Sequence, residues 1–247
     1  MGLIARRLLT MMGGAQWVVP TDIPAAEAAA LKWLYDNTNG ADWTTKTNWG
    51  KTATANDWHG ITVAGGKVTI IALDDNNLVG NVGSWNVAAF TGLQTLQIFS
   101  NASLVGDTSS WPLPAALLAL YLRNTGLSGG GWTIPATLKY AYVYSAAFSG
   151  APDFSVAAAI RDFRYQDNGL SQADVDATLA AIYARRASFT YAAPALLIGS
   201  DNAAPSGTYQ DGDPPTTGLE YVYELANDPE TEGFNTWTIS YNGGSAP

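Results

Sequence analysis

The sequence predicts an α/β repeat protein, a solenoid that stacks a parallel sheet coil upon coil, and three observations lead there. The stretch 68–170 divides into units that begin alike: VTIIALDDNNLVG from Val68, LQTLQIFSNASLVG from Leu93, LLALYLRNTGLSG from Leu117, LKYAYVYSAAFSG from Leu138 and IRDFRYQDNGLS from Ile160. Their starts lie 25, 24, 21 and 22 residues apart, the period of stacked strand-and-return repeats. Within each unit positions 1, 4 and 6 are apolar: Val68, Ile71 and Leu73, then Leu93, Leu96 and Ile98, then Leu117, Leu120 and Leu122, then Leu138, Ala141 and Val143, then Ile160, Phe163 and Tyr165. Apolar residues two apart at positions 4 and 6 mark a strand with one buried face. Position 9 is asparagine in Asn76, Asn101 and Asn168, where an amide carrying donors and an acceptor suits the backbone groups of a turn between coils. Thr125 and Ala146 interrupt that series.

The chain opens with MGLIARRLLTMMGG, in which Arg6 and Arg7 precede an apolar run. LLTMM is shorter than the usual signal h-region of about 7–15 residues, so no cleaved signal is expected. Residues 1–22 read as an anchor or docking arm. It is held either on the protein's own body, through Leu3, Ile4, Leu8, Leu9 and Met12, or on another chain or a large assembly. A solenoid exposes an apolar face at each end and needs caps. The first occupies 23–67, where AAEAAALKWLYDNTNGADW predicts a helix from about Pro24 to Asp36 with Leu31, Leu34 and Tyr35 on one face and Gly40 beyond its end. The repeats run over 68–208. The unit 160–194 is longer because LSQADVDATLAAIYARR predicts a helix capped by Ser171, with Val175, Leu179 and Ile182 on one stripe. The second cap, 209–247, is mixed: TGLEYVYELAND supplies a short helix, NTWTISY a last strand, and YQDGDPP and DPETEG acidic loops.

Each unit closes on an apolar residue and a glycine: Leu78 and Gly80, Leu104 and Gly106, Leu127 and Gly129, Phe148 and Gly150. With GGWTIPATL from Gly130, this ending resembles the leucine-rich repeat family, in its plant-type LxGxIP subclass, which bacterial and phage proteins also carry. The resemblance covers about residues 25–210. It implies a leucine-rich-repeat right-handed solenoid with a parallel concave sheet, a helical N-cap and a mixed C-cap. TNWG and DWHGITV look like the N-terminal cap of that subclass without its frequent cysteine pair, so Trp33, Trp43, Trp49 and Trp58 are expected to pack in place of that staple. PALLIGSDNAAPSG resembles a last irregular repeat. Members mostly bind other molecules, and the ligand differs from one to the next.

Composition narrows the function classes. The chain has 247 residues, 47% of them hydrophobic, enough for a sizeable core without disulfides or metals. It has no cysteine, hence no thiolate nucleophile and no cysteine-based zinc site. A net charge of −9 argues against nucleic-acid binding, which relies on a basic stripe to displace counterions. Only 13% of residues are charged, a density that favours extracellular and particle-surface proteins. No apolar run reaches the roughly 18 residues of a transmembrane helix.

Candidate chemistry is thin. His59, the single histidine, is expected to be a packing or surface residue of the N-cap. Asp211, Asp213 and Glu220 raise calcium, but the spacing lacks the EF-hand ligand pattern and its turn glycine, and a solvated loop is the favoured reading. Asp74 with Asp75, or Asp162 with Asp167, raise the paired carboxylates of glycoside hydrolysis, yet on a repeat scaffold such residues are ligand contacts or solvated charges. GGAQW and VAGGK lack phosphate-loop spacing. No enzyme activity and no cofactor are expected.

If positions 1, 4 and 6 point inward, positions 3, 5, 7 and 8 point out from the concave sheet, and equal positions form columns about 4.8 Å per step. Column 3 is Ile70, Thr95, Ala119, Tyr140 and Asp162; column 5 is Ala72, Gln97, Tyr121, Tyr142 and Arg164; column 7 is Asp74, Phe99, Arg123, Tyr144 and Gln166. The candidate ligand-binding residues are therefore Gln97, Phe99, Tyr121, Arg123, Tyr140, Tyr142, Tyr144, Arg164 and Gln166. Tyr and Arg dominate interface hot spots, and aromatic rings also stack on sugars. A tyrosine ladder that merely stabilises the sheet is the competing reading. The expectation is a non-catalytic recognition or adhesion module for a protein or glycan on a surface, carried on a phage or other extracellular particle by residues 1–22. The alternative is a purely structural decoration or assembly protein of a virion or filament.

Overall fold

A computed structural model describes residues 16–228 and 233–246. The apolar positions of the five units are its core: every residue at positions 1, 4 and 6 is buried. Their strands form one open sheet, and it is parallel because each unit brings the chain back to start its strand beside the previous one. The strands are β1 (Ile61–Ala64), β2 (Lys67–Ala72), β4 (Thr95–Gln97), β6 (Ala119–Tyr121), β8 (Tyr140–Tyr142), β10 (Asp162–Arg164), β11 (Ala195–Leu197), β12 (Thr238–Tyr241) and β13 (Gly244–Ala246), neighbours in that order. Pairing is parallel from β2 to β12 and antiparallel at the two ends, β1 on β2 and β13 on β12. A second parallel sheet holds the return segments: β3 (Gly80–Asn81), β5 (Leu104–Asp107), β7 (Gly126–Gly129) and β9 (Ala147–Phe148). Three α-helices complete the described residues: α1 (Ala25–Asn37), α2 (Gln172–Tyr183) and α3 (Gly218–Asn227). The result is a mixed α/β chain on a large, mostly parallel sheet.

The asparagines tie neighbouring units together as their position suggested. Asn101 accepts from the backbone N–H of Asn76 (3.1 Å) and Leu78 (2.9 Å) and donates to the carbonyls of Leu73 and Ile98 (both 2.9 Å). Asn76 makes the same bridge to both backbone groups of Thr45 in the N-terminal segment. Asn168 donates to the Val143 and Tyr165 carbonyls and accepts from the Phe148 N–H. Thr125, an interruption in the sequence pattern, serves locally instead, its hydroxyl donating to the Leu122 carbonyl at 2.7 Å. A further member is Asn202, fully buried, which accepts from the N–H of Asn168 and Leu170 and donates to the Tyr165 and Ile198 carbonyls.

Just before this asparagine the strand turns. Position 8 is left-handed in every unit: Asp75, Ser100, Asn124, Ser145, Asp167 and Ser200 have φ of 48°, 55°, 54°, 51°, 55° and 66°. Short polar residues adopt that region at least cost, which explains the Asp, Asn and Ser there. Gly80 has a different reason to be glycine. At φ 147° it passes so near the end of α1 that a Cβ would stand 2.0 Å from the Asn37 carbonyl oxygen.

On the return side a second series of buried residues runs through the units: Trp85, Trp111, Trp132 and Phe154. Each indole N–H donates to a backbone carbonyl before it in the chain: Trp85 to Ala30 in α1 (3.0 Å), Trp111 to Val82 (3.3 Å) and Trp132 to Thr108 (2.9 Å). A buried Trp needs such a partner for its N–H, so this series fixes both packing and register.

The N-terminal end is closed by rings. Trp43, Trp49 and Trp58 are buried, with Trp43 and Trp49 at 4.8 Å and Trp49 and Trp58 at 5.1 Å between centroids. Trp33 packs only partly against the core, whereas Tyr35 and Trp17 join the cluster. Of the arm, residues 1–15, with Leu3, Ile4, Leu8, Leu9 and Met12, lie outside the described residues. Residues 17–22 dock on the chain's own body: Trp17 on Tyr35 and Trp58, the Val18 N–H on the Gly50 carbonyl, and the Asp22 carboxylate on the N–H of Ala55 and Asn56. In the long unit Ser171 caps α2 in a reciprocal box with Asp174.

Candidate functional site

Strand pairing sets the columns. Along β2, β4, β6, β8 and β10 the register places Ile70, Thr95, Ala119, Tyr140 and Asp162 in one row and Ala72, Gln97, Tyr121, Tyr142 and Arg164 in another. The next row stays aligned because the carbonyls of Phe99, Arg123, Tyr144 and Gln166 accept from the position-8 N–H of the preceding unit, at 3.0–3.3 Å. Gln97, Phe99, Tyr121, Arg123, Tyr140, Tyr142, Tyr144, Arg164 and Gln166 therefore share one face, each partly exposed.

The rings touch in sequence. Phe99 meets Tyr121 edge-on at 6.4 Å, and Tyr121 meets Tyr142 at 5.0 Å. The two arginines of the face are held differently. Arg164 lies over the Tyr142 ring at 4.4 Å and forms an ion pair with Asp162, Nη2 to Oδ2 at 2.8 Å and Nε to Oδ2 at 3.0 Å. The Tyr142 hydroxyl donates to the same carboxylate oxygen at 2.9 Å. Arg123 stacks on Phe99, 3.9 Å from the ring centroid, with Tyr144 on its other flank at 5.8 Å.

These contacts move the acid–base behaviour of the face. Burial, with the hydrogen bond to Asp162, pushes the Tyr142 phenol up to about 12. Burial also raises Tyr121, helped by Tyr140 and Asp162. The hydrogen bonds that Arg164 donates to the Asp162 carboxylate raise its pKa further, so its charge is fixed. Tyr121 and Tyr142 thus stay neutral phenols, and Arg164 a cation, across the ordinary pH range.

Asp162 is the residue that column reasoning did not place in the site. Its column position was visible, but its role as a hub depends on the side chains of Arg164 and Tyr142 converging on it. Of the carboxylates paired in the sequence reading, the Asp162 oxygens are engaged by Arg164 and Tyr142, while Asp167 accepts from the Ser145 hydroxyl at 3.5 Å. His59 is exposed. Glu220 serves as a helix cap: its carboxylate accepts from the N–H of Thr216 and Thr217 and from Gln210, which holds it down at about 2. Among the described residues no group of three or more His, Asp or Glu side chains stands together as a metal site would require. Among the same residues no helix is long and apolar enough to cross a membrane. A cleft of about 590 Å³, lined in part by Trp111, Pro112, Trp132, Pro135 and Val156, shares none of its residues with the ring face.

No family model and no curated protein matches the chain. Among solved structures it is similar to the crystal structure of PEPR1-AtPEP1, at 14% sequence identity and a TM-score of 0.24. The match covers 69% of this chain and 38% of that one, so the chain spans well under half of that neighbour's length.

Proposed function

We propose that this chain is a right-handed leucine-rich-repeat solenoid that recognises a protein or glycan, without catalysis, through the ring-bearing face of its large sheet, read as the concave face. The observation that carries the reading is the run of part-exposed rings and guanidinium groups held in register across successive strands. Rings and arginines offer large contact area and directional bonds at low entropic cost. Low charge density and the apolar residues of the arm support display on a phage or other extracellular particle, with the part of the arm ahead of Trp17 as the anchor.

A second reading, a purely structural decoration or assembly protein, is favoured by one observation: the Tyr142, Asp162 and Arg164 side chains satisfy one another. Capture on immobilised glycan and peptide panels separates the two. A Tyr140→Ala/Tyr144→Ala variant is expected to lose capture while keeping its unfolding midpoint. If no panel member is captured and the midpoint drops instead, the face is a ladder.

A further inference from the structure

The two arginines of the face differ in what is left for a ligand. Arg164 is closed on Asp162 and Tyr142. Among the described residues the Arg123 guanidinium makes no hydrogen bond and no ion pair; it is placed by Phe99 and Tyr144 from the flanking units. Acidic residues outnumber Lys and Arg by 21 to 12 in the chain, yet none of the described ones pairs with this guanidinium. A stacked guanidinium loses little further freedom on binding, and its planar N–H fork matches a carboxylate. Two strands along the same row, beyond Tyr144, Gln166 holds Oε1 buried without a hydrogen-bond partner, an acceptor left open for a ligand hydroxyl.

We infer that the row Phe99, Arg123, Tyr144 and Gln166 takes the carboxylate of an acidic saccharide, a uronate-type sugar whose ring lies on the neighbouring tyrosines. This rests on the recognition reading above and names its ligand class. A sugar ring offers C–H faces to Tyr140 and Tyr144, whose rings are not closed off by Arg164, and hydroxyls to their phenols, and its carboxylate projects from the ring edge toward the fork. A peptide laid across the same face would bring unpaired backbone amides to a surface whose own backbone is consumed by the sheet.

The test is calorimetric titration of the full chain with short oligogalacturonates, with their carboxyl-reduced counterparts and with an oligoglutamate peptide as the acidic peptide. Oligogalacturonate is expected to bind, more weakly as salt rises. Arg123→Gln should weaken it about tenfold or more, the loss of a charge-assisted pair. Arg123→Lys, which keeps the charge and loses the fork, should recover only part. Circular dichroism and the melting midpoint of each variant confirm that the fold is intact. Equal binding of the reduced sugar, or undiminished binding by Arg123→Gln, overturns the carboxylate inference and leaves glycan recognition standing. Binding of an acidic peptide but of neither sugar overturns it in favour of a protein ligand. If no probe binds, the inference falls; the panel capture described above then decides separately whether the recognition reading falls with it.

Discussion

Replacing Asn101 by alanine tests how the stacked units are joined. The side chain is buried, and it is the acceptor for the N–H groups of Asn76 and Leu78 and a donor to the Leu73, Ile98 and Phe99 carbonyls. The Phe99 carbonyl retains the Asp75 N–H; the two orphaned N–H groups have no such substitute at hand. Each buried group left unsatisfied costs about 1–3 kcal/mol, so the donors alone imply about 2–6 kcal/mol, with entering water pulling toward the lower half. A loss of about 3 kcal/mol is a large share of a domain stability of about 5–15 kcal/mol. Urea denaturation read by Trp fluorescence measures it, against Asn37→Ala as control, an exposed amide with one bond to the Trp33 carbonyl. Asn101→Thr should leave the bridge broken, since Thr125 at the equivalent place in the third unit bonds only within its own unit. A loss for Asn101→Ala no larger than for Asn37→Ala would refute the bridging argument.

Further outcomes follow from other residues. Trp132→Ala should cost about 3–5 kcal/mol by removing a buried indole, while Trp132→Phe should cost about 1 kcal/mol for the lost bond to the Thr108 carbonyl, both by urea denaturation. Glu27 is fully buried, one oxygen accepting from the Val68 N–H and the other unpartnered, and burial raises its pKa above 4.5. The folded state therefore holds this proton more firmly, and the associated stability is full below pH 4.5 and lost as pH rises through the raised value. Glu27→Gln should match the parent chain in acid and exceed its melting temperature at neutral pH. For Glu220, held down at about 2, the sign is opposite: stability present above 4.5 is lost as pH falls toward 2, and Glu220→Gln should flatten that limb. Ultraviolet titration should show one phenol ionising near pH 12 that disappears in Tyr142→Phe.

Much of the fold was legible because it repeats. Burial at positions 4 and 6 needs only a period of two, and five units state it independently, so the strands, their order and the columns could be read from Val68 onward. The helices over Ala25–Asn37, Gln172–Tyr183 and Gly218–Asn227 carried caps or apolar faces that show in the sequence. What stayed hidden depends on irregular spacing or on side-chain geometry. Asn202 sits one residue later in its unit than Asn76 or Asn101. Trp85, Trp111 and Trp132 are unequally spaced, so their common role shows only when each N–H is seen to reach a backbone carbonyl before it. Trp17 joins the cap from a segment that reads as arm. On the face, the residue list was available from the columns, but nothing in residue type separates Arg164, neutralised by Asp162, from Arg123, left with open donors.

The most direct test of the recognition face is a paired measurement on the Tyr121→Ala/Arg123→Ala/Tyr142→Ala variant, namely capture of panel ligands and the thermal unfolding midpoint, each against the parent chain. Recognition through this face predicts that capture is abolished while the midpoint moves little. A large fall in the midpoint with no ligand captured by the parent chain, or capture that survives all three changes, would contradict it.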